Sequence, residues 1–92
     1  MKISTTIGVN GDPQKLAQEA RDLESAGVDL IWGAEIYGYD LISTLGYLAG
    51  QTSTVQLMTG IIPLYSRSPA LIAQTAATLD ALSGGRFVLG LG

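Results

Sequence analysis

The sequence predicts an α/β fold, the N-terminal half of a (β/α)8 TIM barrel in the order β-α-β-α-β-α-β with parallel strands. Three observations carry this. Short β-prone runs alternate with stretches of helical period along all 92 residues. Cap-then-proline pairs open two of the helices, and glycines follow the helix ends. The first strand-to-helix turn, Gly8 to Pro13, lacks the glycine-rich phosphate loop that an open doubly wound sheet often carries there. Alternation through short connections means parallel strands and right-handed crossovers, which leaves barrel and doubly wound sheet as candidates. Small residues near the end of the fourth strand suit a rim where a ligand approaches backbone, and favour the barrel.

Ile3–Val9 is the first strand, rich in Ile, Val and Thr. Asp12 is the N-cap of the next element and Pro13 its first residue, where the missing N–H costs nothing. Leu16, Ala17, Ala20, Leu23 and Ala26 then recur at helical spacing, which predicts a helix to about Ala26 with Gly27 just past its end. Val28–Trp32 is the second strand, with Gly33-Ala34-Glu35 at its C-terminal end. Asp40 caps a second helix to about Gln51, buried along Leu41, Leu45, Leu48 and Ala49. Val55–Ile62 is the third strand, interrupted by Gly60 and ended by Pro63. Ser68-Pro69 opens a third helix to about Leu82, with Leu71, Ile72, Thr75, Ala76, Leu79 and Leu82 inward. Ser83-Gly84-Gly85 stops it, and Arg86–Leu91 is the fourth strand.

Composition narrows the function classes. The chain is 47% hydrophobic and 14% charged, which suits a packed core. Its net charge is −3 and its five basic residues are scattered, so nucleic acid and anionic membrane are poor partners. It has no cysteine and no histidine, hence no disulfide, no thiolate metal site and no imidazole base; no metal is expected. No signal-peptide pattern or membrane-length apolar run occurs, and a cytoplasmic protein is expected. A whole barrel takes about 250 residues, so residues 1–92 read as one incomplete domain with four of eight strands. Its two unpaired edges invite self-association into a homo-oligomer.

The most specific stretch runs from Thr59 to Gly92. It contains Thr59-Gly60-Ile61, Arg67-x-Pro69-Ala70, Ala76-Ala77-Thr78-Leu79-Asp80, Ser83-Gly84-Gly85-Arg86-Phe87 and Leu89-Gly90-Leu91-Gly92. In these pieces and their spacing the chain resembles the luciferase-like monooxygenase superfamily, within it the branch that uses coenzyme F420, a deazaflavin hydride carrier. Earlier segments, including Trp32-x-x-Glu35, agree more loosely. The resemblance implies an eight-stranded barrel and a flavin- or F420-dependent oxidoreductase that transfers hydride between F420 and a small organic substrate. An FMN-dependent monooxygenase is the alternative. A reading of another class is a catalytically inert fragment or a self-associating half-barrel, and the isolated chain is expected to be inactive.

The resemblance also implies site residues. It places a non-prolyl cis peptide at Gly60–Ile61, forming a strand-3 bulge beneath the cofactor ring. Such a bond costs about 3 kcal/mol and persists only where function or packing holds it. The implied cofactor-binding set is Glu35, Thr59, Gly60 and Ile61, and Glu35 is also the candidate catalytic residue. Ile36 stands where some F420 enzymes carry a histidine. A proton donor must then be Glu35, a tyrosine, the substrate or a residue after Gly92.

Each candidate has a structural reading beside the functional one. Glu35 can instead cap its loop through a backbone N–H. Gly60 can be an ordinary strand glycine that eases a bend. Tyr37, Tyr39 and Tyr65 can wall a flavin pocket or simply anchor loops. Arg67 can meet an anionic substrate or form a salt bridge near the third helix. Asp80 and Arg86 read as a structural tether at the turn into strand 4. Trp32 reads as core or helix–sheet packing. Gly90 and Gly92 can admit a ring or phosphate, or merely pack closely.

Overall fold

The computed structural model describes residues 1–8, 10–35 and 38–92. The elements are β1 (Ser4–Thr6), α1 (Pro13–Ser25), β2 (Leu30–Ala34), α2 (Leu41–Gln51), β3 (Gln56–Ile61), a 3-10 turn (Leu64–Ser66), α3 (Pro69–Ser83) and β4 (Phe87–Val88). The expected order of strands and helices is the observed one. All strands are parallel, in the spatial order β1-β2-β3-β4.

The caps form as the sequence suggests. Asp12 Oδ1 accepts from Gln14 N at 2.9 Å, Asp40 Oδ2 from Ser43 N at 2.8 Å and Ser68 Oγ from Leu71 N at 3.1 Å. The chain leaves α1 through Gly27 (φ 92°) and leaves α3 through Gly84 (φ 66°) and Gly85 (φ 83°), a left-handed path that side chains with a Cβ resist.

Strand alternation divides the sheet into two unlike faces. Ile31, Leu57 and Thr59 are buried beneath the helices, in a core with Leu16, Leu41, Leu45, Leu48, Val55 and Ile62. Leu30, Trp32 and Met58 point the other way and are only half-buried. A doubly wound sheet carries helices on both faces. Helices on one face and sequential parallel strands are instead the arrangement of consecutive β/α units in a barrel wall.

Several boundaries and orientations differ from the sequence reading. β4 spans Phe87–Val88 rather than Arg86–Leu91, because it is an edge and its pairing to β3 ends at Met58↔Val88. β1 covers Ser4–Thr6, with Ile7 N adding one bond to Trp32 O at 2.9 Å; Val9 lies outside the described residues. On α3, Leu71 and Leu82 are exposed rather than inward. That outer helix packs chiefly on α2 and β4, and only Leu79 and Ser83 become fully buried. Ala26 is exposed as the C-cap of α1. Among the described residues no helix is long and apolar enough to cross a membrane.

Candidate functional site

Barrel enzymes place chemistry at the C-terminal ends of the strands. Here Glu35 follows β2 and receives there a bidentate clamp. Arg67 Nη1 donates to Glu35 Oε2 at 2.8 Å and Arg67 Nη2 to Glu35 Oε1 at 2.9 Å. Arg67 Nη2 also donates to Asp40 Oδ1 at 2.6 Å, and Leu41 N donates to Glu35 Oε1 at 2.8 Å. Arg67 and Glu35 keep only 10% and 14% of their side-chain surface exposed. One guanidinium thus ties the end of β2, the start of α2 and the approach to α3.

The clamp sets the charge states. Arg67 holds the Glu35 carboxyl below the usual carboxylate range; burial opposes this and the Leu41 N–H assists it. Burial would raise Asp40, but the Ser43 hydroxyl and N–H and the Arg67 charge hold it low as well. Arg67 is raised in turn by its bonds to Glu35. Glu35 is therefore an ionised, fully engaged anchor, and both structural alternatives weighed for Glu35 and Arg67 are present in the geometry.

The bulge is where the sequence places it. Gly33 pairs with Thr59 and Ala34 with Ile61, so Gly60 is the extra residue on β3. The expected cis bond is absent: the Gly60–Ile61 peptide is trans. The extra residue alone resets the alternation, since Gly60 and Ile61 now share the open face and Ile62 drops into the core at 1% exposure. Glu35 N donates to Ile61 O at 2.9 Å and ties the bulge to the rim.

Gly60 and Ile61 border an apolar trough of about 520 Å³ with Ser4, Leu30, Trp32 and Met58. Trp32 thus lines the face opposite the helices and takes no part in helix–sheet packing. Thr59, by contrast, is fully buried and points away from the trough. Its hydroxyl donates to Gly90 O and accepts from Gly90 N, both at 2.8 Å. A side chain at Gly90 would strike the Thr59 carbonyl, so close strand packing accounts for this glycine.

The other candidates disperse. The Tyr39 hydroxyl donates to Gly11 O at 2.7 Å and its N–H to Asn10 Oδ1 at 3.1 Å, joining two rim loops. Tyr65 is fully exposed. Tyr37 and Ile36 lie outside the described residues. The Asp80–Arg86 tether does not form. The Arg86 guanidinium instead donates to Ser83 O, Thr52 Oγ1, Thr52 O, Val55 O and Ala49 O, because the open carbonyls at the end of α2 lie within reach. Sequence reasoning also missed Glu24, whose Oε2 accepts from Ser53, Thr54 and Val55 N–H groups. No spacing signal marks it, since its partners lie about 30 residues away. Among the described residues, no group of three potential metal ligands gathers.

A barrel wall with an ionised rim clamp and an apolar trough beside a strand bulge defines the class of architecture. The whole chain, residues 1–92, matches the family model of the luciferase-like monooxygenases, and the chain belongs to that family. It is 40% identical over 91% of its length to a 5,10-methylenetetrahydromethanopterin reductase of Methanolobus tindarius, covering 26% of that protein. It is 38% identical over 79% of its length to a luciferase-like monooxygenase of Escherichia coli, covering 24% of that one. The structure of the coenzyme F420-dependent tetrahydromethanopterin reductase of Methanopyrus kandleri superposes on 99% of the chain with a TM-score of 0.92, at 32% identity and over 26% of that protein. The chain spans about a quarter of the length of these relatives. The barrel reading is thereby established over the doubly wound one.

Proposed function

We propose that this chain is the N-terminal, cofactor-bearing part of a cytoplasmic oxidoreductase that transfers hydride between coenzyme F420 and a small organic substrate. Residues 1–92 form one structural part of a single barrel domain in this reading. The observation that carries it is the β3 bulge, which turns both Gly60 and Ile61, at the C-terminal end of that strand, onto an apolar trough on the face opposite the helices. Likeness to an F420-dependent reductase over 99% of the chain supports the choice of cofactor.

The residues present fit a flat ring. The trough is open and apolar, no charged side chain lines it among the described residues, and Gly60 leaves its bulge without a Cβ. When bound there, the deazaflavin would supply the two-electron chemistry. Trp32, Met58 and Ile61 would exclude water from one side of the ring. Glu35 and Arg67 hold the loops around it, Ile61 would border it, and Gly60 leaves room for the Trp32 indole beside it. Thr59 acts from behind, by fixing Gly90. Glu35 is unsuited to donate a proton while Arg67 holds it ionised, and the Tyr39 hydroxyl is committed to Gly11 O. Proton transfer then falls to the substrate or to groups outside these.

The E. coli relative, a luciferase-like monooxygenase, supports the monooxygenase part of a second reading, in which FMN takes the same trough. A third, the inert or self-associating half-barrel, draws on the free edges at β1 and β4. Equilibrium dialysis of the chain against F420 and FMN, with size-exclusion chromatography, separates the three. Preference for F420 supports the first reading. Preference for FMN supports the second. Binding of neither, whether as monomer or oligomer, overturns both cofactor readings for this chain.

A further inference from the structure

Trp32 is the single tryptophan of the chain. It projects from β2 onto the trough, across the strand from the buried Ile31 and Gly33. A Cβ at Gly60 would stand 2.5 Å from Trp32 Cε3 and 3.0 Å from its Cζ3. The six-membered part of the indole therefore lies over Gly60, closer than any side chain there would permit. Glycine at the bulge is thus already used by a flat ring, and that ring belongs to the protein.

We infer that Trp32 is the aromatic wall against which the planar ring of the cofactor packs, and that Gly60 serves the cofactor by seating the indole. The inference rests on the preceding reading that the trough takes a flavin-type ring. Its basis is physical. Aromatic rings attract one another in offset or edge-to-face contact beyond what burial alone supplies. The walls around Trp32 are aliphatic or sulfur-bearing: Leu30, Met58 and Ile61. Among the described residues, the indole is the one aromatic surface on the trough. Its place one turn of the pleat below Ala34 and Glu35 puts it under the rim rather than on it. A fused heteroaromatic ring entering from the rim would meet it face or edge first.

The test is the affinity of the 92-residue chain for F420 and for FMN, measured by equilibrium dialysis, with visible circular dichroism of the bound ring. Trp32→Leu is expected to weaken binding about tenfold and to flatten the induced dichroism, while Trp32→Phe keeps affinity within about threefold. Gly60→Ala is expected to weaken binding as well and to shift the Trp32 emission, because the added methyl must displace the indole. Urea midpoints measured alongside separate packing from recognition: a filler role would lower the midpoint of Trp32→Leu and leave the affinity of its folded fraction unchanged. Equal affinity of Trp32→Leu and the unsubstituted chain overturns the inference and leaves the cofactor reading standing. Should Trp32→Leu fail to fold, Gly60→Ala decides: unchanged affinity and dichroism in that variant overturn the inference. Failure of the unsubstituted chain to bind either ring overturns the cofactor reading and this inference with it.

Discussion

The two ends of the sheet each use one glutamate and one arginine, and wire them in opposite ways. At the rim, Glu35 and Arg67 bind one another, with Asp40 as a third member. At the other end, Glu24 accepts from three successive backbone N–H groups, and Arg86 donates to carbonyls and one hydroxyl. Charges spent on backbone complete the turns that join α2 to β3 and α3 to β4. Charges spent on each other join loops that have no backbone ladder in common. The first kind holds the fold. The second holds the geometry of a site.

Substitutions at four positions break or sharpen this contrast. The largest effect is expected for Arg86→Leu, which leaves the carbonyls of Ala49, Thr52 and Val55 without their donor. It should cost about 3–4 kcal/mol, read as a lowered urea midpoint or outright loss of the far-ultraviolet helix signal. Arg86→Lys should recover only part, since an ammonium offers three donors and no planar fork.

Arg67→Ala comes next, at about 2–3 kcal/mol, because it leaves Glu35 nearly buried and unpaired. Its distinguishing mark is local: amide exchange should quicken around Leu41 and Ser68 while the Arg86 end stays protected. Uniform quickening across both ends would break the contrast.

Glu24→Gln should cost roughly 1–2 kcal/mol, allowing for its partial exposure. Burial would raise the Glu24 carboxyl, but the N–H groups of Thr54, Val55 and Ser53 outweigh it and hold it at about 2. A depressed carboxylate stabilises above its unfolded value of 4.5 and loses that contribution as pH falls toward about 2. The stability of the unsubstituted chain should therefore drop over that window more steeply than that of Glu24→Gln. Parallel curves would show that Glu24 is not the group responsible.

The smallest effect is expected for Asp80→Asn. Its side chain has no ion-pair partner among the described residues, so the midpoint should move by less than about 0.5 kcal/mol. A larger loss would restore the tether to Arg86.

Local chemistry was the legible part. Asp12, Asp40 and Ser68 cap because a short polar side chain can reach an N–H two or three residues on, whatever the rest of the molecule does. Gly60 was legible as a bulge through the motif around it, and the bulge formed with a trans bond. The partners of Arg86 and Glu24 were hidden, because about 30 residues of chain separate donor from acceptor. Arg86 was assigned the nearest acid, Asp80, and took carbonyls instead. Trp32 reads as core or helix–sheet packing, and the structure excludes the second, because the face it occupies depends on which side of the sheet the helices cover.

The sequence by itself determined the order β-α-β-α-β-α-β, the parallel pairing, the helix limits to within a residue or two and the position of the bulge. These follow from periodicity, capping and turn chemistry, all of which act within a few residues. Tertiary structure alone decided that all helices lie on one face, that Arg67 locks Glu35 as an ionised anchor, that Thr59 turns inward to Gly90 and that Trp32 sits over Gly60. Those are contacts between strands and loops far apart in the chain, and their geometry exists only once the crossovers have brought the strands side by side.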